Sequence, residues 1–116
     1  MPTTSYNIDR LQSRAEIMDV MALYCHATDR RNWKLMQFVF HEDAKWSLAS
    51  LQGQTWRESL AAGIKLFERH LLATSHQLGN VLMRIDGDVA STETYCTAYH
   101  RVRADAPPGG PFGGVG

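Results

Sequence analysis

The chain is predicted to be an α+β domain in which helices pack on an antiparallel sheet, and three observations carry that expectation. Apolar residues recur at three- and four-residue spacing from about Asp9 to Thr28, which is the period of a helix with one buried face. From Thr74 the period changes to two, as in a strand. Asp86-Gly87-Asp88 then separates two long period-two runs and is the strongest turn signal in the chain. The resulting order is helix, helix, strand, helix and long hairpin, which belongs to the α+β class.

The first helix is expected over residues 9–30, with Ile17, Val20, Met21, Tyr24, Cys25 and Thr28 on its buried face and Asp9 as its cap. Asn32 reads as the cap of a second, shorter helix to about residue 40, with Trp33, Met36, Phe38, Val39 and Phe40 on its apolar side. His41-Glu42-Asp43 breaks that pattern. Ala44, Trp46 and Leu48 alternate with Lys45 and Ser47 as a short strand that Gly53 closes. Trp56, Leu60, Ile64, Phe67 and Leu71 form one stripe of a third helix at about 55–72. The hairpin strands are expected at 74–86 and 88–103.

Hairpin register decides which residues share a face. If Gly87 is the left-handed residue of a three-residue turn, Arg84 pairs with Asp88, and His76, Leu78 and Asn80 face the same way as Cys96, Ala98 and His100. If Asp86-Gly87 is a two-residue turn, Ile85 pairs with Asp88 and His76 joins Tyr95, Thr97 and Tyr99. The first register is favoured, because it gathers small residues on one face and leaves room for a pocket.

The 116 residues make one domain, read as residues 1–104 followed by a loop or tail at 105–116 with three prolines and five glycines. Twelve basic side chains balance twelve acidic ones, so there is no basic excess to bind nucleic acid and no basic run to seat on a membrane. Met1–Ser5 lacks the charged and apolar regions of a secretory signal, and no apolar run is long enough to span a bilayer. The two cysteines, Cys25 and Cys96, are expected reduced and buried, and the cytoplasm fits best. No histidine spacing has a metal-site pattern, and no metal or cofactor is expected. His26, His41 and His70 read as surface or helix-end residues, and Arg30, Arg31, Arg101 and Arg103 as a solvated surface.

The segments Ser13–Ile17, Tyr24, Asp29–Trp33, Phe40–Ala44, His76–Asn80 and Asp86–Ala90, in this order and spacing, resemble the SnoaL-like branch of the nuclear transport factor 2-like superfamily. The resemblance implies a cone: helices packed in the concave face of a curved antiparallel sheet around a pocket. It is nearest in pattern to lyases of the lindane dehydrochlorinase and scytalone dehydratase type. There an Asp ending the first long helix meets a His at the start of a strand, and Asp29 and His76 fall on those positions. A second pocket His of the dehydratase falls near His100. The tyrosine beside the dehydratase's Asp is replaced here by Thr28, and no residue matches the late-strand Arg of the dehydrochlorinase. Family members continue with two more strands where this chain turns Gly/Pro-rich, so the cone is expected to be incomplete at its C-terminal side.

The resemblance implies a cofactor-independent lyase or isomerase acting on a small, apolar, cyclic molecule, with His76 as general base, Asp29 as its orienting carboxylate and His100 or Asn80 assisting the leaving group. Tyr24, Trp46, Asn80, Cys96 and Ala98 are the expected substrate-binding residues. The rival is a non-catalytic small-molecule-binding module or a structural subunit, as in the small subunits of aromatic-ring dioxygenases. A homodimer through the outer sheet face is expected from the apolar character of both hairpin faces: Val81, Met83, Ile85, Tyr95 and Tyr99 on one, Leu78, Leu82, Cys96 and Ala98 on the other.

Overall fold

A computed structural model describes residues 5–48 and 51–107. The elements are α1 (Ile8–Asp29), a 3-10 helix (Trp33–Phe38), β1 (Lys45–Leu48), β2 (Leu51–Thr55), α2 (Trp56–His70), β3 (Leu71–Asp86) and β4 (Val89–Val102). The architecture is α+β as expected. Among the described residues its strands form two separate antiparallel ladders, β1–β2 and β3–β4, neither of them closed. Most of the expected tail lies outside the described residues.

The α1 cap is Asn7, whose side chain accepts the Arg10 N–H at 2.9 Å. Asp9 instead falls in the first helical turn, where its charge suits the dipole. Only the C-terminal end of α1 is deeply packed: Cys25, Ala27 and Thr28 are buried, while Val20 is exposed. The expected second α-helix is a short 3-10 segment without a side-chain cap at Asn32. Phe38 points to solvent and Met36 is fully buried. Gly53 does not end the strand region but lies inside β2, a strand the sequence reading missed.

Thr55 caps α2 reciprocally. Its hydroxyl accepts the Glu58 N–H at 3.2 Å and donates to the Glu58 carboxylate at 2.8 Å. Thr55→Ala is expected to lower unfolding free energy by about 1 kcal/mol in chemical denaturation. Leu71 ends α2 in extended conformation, so β3 begins without a loop. His70, read as a surface or helix-end residue, is the last residue of α2 and is 6% exposed.

The core gathers Ala27, Met36 and Trp56, with Phe40 stacked between Trp46 and Trp56 at 5.3 Å from each. Tyr24 meets Phe40 and Trp46 edge-on. The Ser59 hydroxyl donates to the Trp46 carbonyl at 2.9 Å, pinning α2 to β1. Met36→Ala is expected to cost about 2–5 kcal/mol of stability by leaving a cavity among these rings.

The hairpin turn is Gly87-Asp88, flanked by the pair Asp86 and Val89. Gly87 has φ 57° and Asp88 has negative φ, the arrangement a type II′ turn asks of its two central residues. Both turns considered from sequence are therefore displaced. Closer to the helices, a bulge between Leu78 and Val81 lets Gly79 and Asn80 face Tyr95 alone, and pairing resumes with Leu78 opposite Cys96. His76 then pairs with Ala98 and Thr74 with His100. The face expected for His76, Leu78, Cys96, Ala98 and His100 thus holds, by a different route, but Asn80, expected with them, lies in the bulge opposite Tyr95. The bulge also turns Val81, Met83 and Ile85 to this inner face, and Met83 is 3% exposed. Leu82, expected with Leu78 and Cys96, is turned by the same bulge to the outer face, where Tyr95 and Tyr99 remain 77% and 63% exposed.

Candidate active site

The site forms where the C-terminus of α1 meets the first residues of β3. A carboxylate at a helix C-terminus faces the negative end of the dipole, so Asp29 needs donors from elsewhere. It has three. Oδ1 accepts the Thr74 hydroxyl at 2.9 Å and lies 2.7 Å from His76 Nδ1, and Oδ2 accepts the His76 backbone N–H at 2.9 Å. The side chains of Asp29 and His76 are 21% and 13% exposed. Burial is the largest influence on Asp29 and pushes its pKa up. The bonds from His76 and Thr74, with the imidazole charge, outweigh it and hold the carboxyl below its ordinary value. With Asp29 ionised, Nδ1 carries the proton and donates to Oδ1, leaving the Nε2 lone pair as the base.

The His100 ring sits edge-on to His76 at 5.8 Å between centroids. Burial, then the His76 and Arg31 charges, lower its pKa against the pull of Asp29. That shift favours the neutral imidazole of His100, which can donate one hydrogen bond and accept another.

Tyr24 lies one helical turn before Thr28, and the Thr28 hydroxyl donates to the Tyr24 carbonyl at 2.9 Å. Burial, then the Cys25 and Cys96 thiols, push the Tyr24 pKa up to about 12. The group stays a phenol. Cys25 is buried and its thiol is pushed up, chiefly by burial, which makes it inert as a nucleophile. Cys96 is exposed rather than buried, and Ala98 beside His76 is exposed too, so the inner face is open to solvent here.

The structure brings Asp29, His76 and His100 together, with Cys96 next along the same sheet face and Tyr24 on α1 across from it. Trp46 is held in the aromatic core. Asn80 is separated from His76 by the bulge, four residues or roughly 13 Å along the strand. It lines a shallow groove with Val81, Leu82, Glu93, Thr94 and Tyr95. Among the described residues no three His, Cys, Asp or Glu side chains are gathered as metal ligands, and no helix is long and apolar enough to cross a membrane.

Two residues escaped the sequence reading. Thr74 is two positions before His76 on the same strand face, so period-two alternation could have found it. Arg31, read as solvated, turns inward. Its Nη1 donates to the Thr28 carbonyl at 2.8 Å and the Thr74 hydroxyl at 3.0 Å, and its guanidinium lies 4.9 Å over the Phe67 ring.

Comparison with known proteins adds the family. Uncharacterized proteins of Mycobacterium bovis and of two strains of Mycobacterium tuberculosis are each 26% identical over 98 residues, covering 78% of this chain and 62% of their own length. The chain therefore spans under two thirds of the curated relatives it matches. No solved structure gives a significant match. The family model of the SnoaL-like domain matches residues 9–114, which is nearly all of the chain, and the protein belongs to that family within the NTF2-like superfamily.

Proposed function

We propose that the protein is a cofactor-independent lyase or isomerase that takes a proton from carbon in a small, apolar, cyclic molecule. The observation that carries this reading is the 2.7 Å contact between Asp29 Oδ1 and His76 Nδ1 in a mostly buried setting. His76 Nε2 removes the proton, and Asp29 stabilises the imidazolium that forms, as a carboxylate does beside the histidine of hydrolase triads. In an elimination the C–H electrons become the new double bond, and hydroxide or halide departs from the neighbouring carbon. Neutral His100 donates a hydrogen bond to the departing group. In an isomerisation the imidazolium returns the proton to a different carbon. Cys96 and Ala98 offer apolar contact along the same face, with Tyr24 facing them from α1.

The test is a panel of cyclic β-hydroxy ketones, halocycloalkanes and β,γ-unsaturated ketones, followed by NMR in deuterium oxide. Loss of the leaving group, double-bond migration or enzyme-dependent exchange of the carbon-bound proton supports the reading. Binding without exchange or turnover on any of them sinks it in favour of the non-catalytic module.

The exposed outer-face residues Leu82, Tyr95 and Tyr99 favour assembly through this side of the hairpin. A homodimer is the expected state, and Tyr99→Asp is expected to dissociate it in multi-angle light scattering. A monodisperse wild-type monomer at micromolar concentration would count against that assembly.

A further inference from the structure

We propose that Arg31 is the positioning residue of this site: through Thr74 it fixes the Asp29 carboxylate, and it supplies the fixed cation beside the Asp29, His76 and His100 cluster. The proposal rests on the reading of Asp29 and His76 as a catalytic pair.

The backbone is the first observation. Helix α1 ends in a Schellman motif: the Asn32 N–H bonds the Ala27 carbonyl at 2.9 Å, and the Arg31 N–H reaches the Thr28 carbonyl at 3.3 Å. That motif puts Arg31 in the left-handed region at φ 55°, the only non-glycine residue there among those described. Glycine is the usual occupant, because a Cβ is disfavoured in this conformation. An arginine kept at such a position is explained by what its side chain does.

The side chain is the second observation. The guanidinium folds back under its own helix end rather than into water. Nη1 bridges the Thr28 carbonyl and the Thr74 hydroxyl, and Phe67 supports the guanidinium plane. Nη2 is buried with no hydrogen-bond partner among the described residues, so this placement does not maximise the residue's own hydrogen bonding. Because Nη1 donates to the Thr74 oxygen, the Thr74 proton is directed to Asp29 Oδ1. The chain Arg31, Thr74, Asp29, His76 is thus polarised in one direction. His100 is the cross-strand partner of Thr74, which Arg31 bonds, and among the described residues the charges that act on it are those of His76 on β3, Asp29 on α1 and Arg31 just beyond it. A fixed cation there disfavours a second positive charge on His100 when His76 takes up its proton. One imidazole then accepts the substrate proton while the other stays a neutral donor.

Glycine is the test residue, since it suits the backbone better than arginine does. In the full-length protein, Arg31→Gly is expected to leave the melting temperature unchanged or raised. It should move the His100 titration midpoint upward in imidazole NMR, assigned against His100→Gln. Arg31→Asn, which also tolerates the left-handed region, should do the same, whereas Arg31→Lys should keep the midpoint near wild type. A folded Arg31→Gly or Arg31→Asn protein whose His100 titrates as in wild type overturns the proposal. So does an Arg31→Lys midpoint as high as that of Arg31→Gly. These readouts need no substrate, so they stand apart from any failure to find turnover. Where a substrate is in hand, Arg31→Gly should lower kcat about tenfold or more, with little change in KM.

Discussion

His76→Ala is expected to lower kcat by about 10²- to 10⁴-fold, the range general-base catalysis supplies, while the fold persists. The structure gives the reason the fold survives. Asp29 Oδ2 is held by the backbone N–H of residue 76, which alanine retains, and Oδ1 keeps the Thr74 hydroxyl. The carboxylate loses one of three donors and is not orphaned. The His76 ring is mostly buried but lies opposite exposed Ala98, so its removal opens a notch to solvent on that side rather than a sealed cavity. Steady-state kinetics on a substrate from the proposed panel, paired with thermal unfolding, separates the two effects. Full activity in the folded variant would remove His76 from the chemistry. Added imidazole should restore part of the loss, because the notch keeps Asp29 Oδ1 available to a free ring.

The pairing of Asp29 with His76 was accessible from sequence because two independent periodicities placed one residue at a helix end and the other at a strand start. The resemblance then supplied the reason for them to meet. The shared face of His76 and His100 was legible less directly. Both considered turns missed the II′ turn at Gly87-Asp88, and the displacement was offset by a bulge at Gly79-Asn80 that local patterning does not reveal. Parity survived, so the face is the one expected near the helices. Beyond the bulge Val81, Met83 and Ile85 lie on the opposite face from the one read. β2 was lost because Gly53 looks like punctuation, although its neighbours pair with β1. Arg31 was the hardest to see. Composition marks an arginine after a helix as solvated, and only the backbone conformation of the helix end reveals that its side chain is folded inward.

Asp29→Asn is expected to reduce kcat by roughly 10³- to 10⁴-fold, the scale of carboxylate-to-amide changes in Asp–His catalytic pairs. The argument follows the donors around Asp29. If the amide oxygen takes the place of Oδ1, it accepts from Thr74 and His76 Nδ1, but the NH₂ then faces the His76 backbone N–H, donor against donor. If the amide flips, its NH₂ donates to Nδ1 and forces the proton onto Nε2, which is the atom the base needs free. Neither arrangement compensates an imidazolium, so the transition state loses its nearest negative charge. The double variant with His76→Ala should be hardly worse than the poorer single variant, because the two residues act as a unit. Stability carries a second signature. The folded-state pKa of Asp29 is depressed, so its contribution is fully present above the unfolded carboxylate value of about 3.9 and is lost as pH falls through the lower folded value. The amide of the Asp29→Asn variant has no such titration. Wild type should therefore exceed Asp29→Asn in melting temperature at neutral pH, by a margin equivalent to roughly 1.5–3 kcal/mol for hydrogen bonds to a charged group. That margin should narrow as the pH is lowered through the acid range. A margin independent of pH would show that Asp29 does not gain its stabilisation as a carboxylate, and the charged dyad would fall with it.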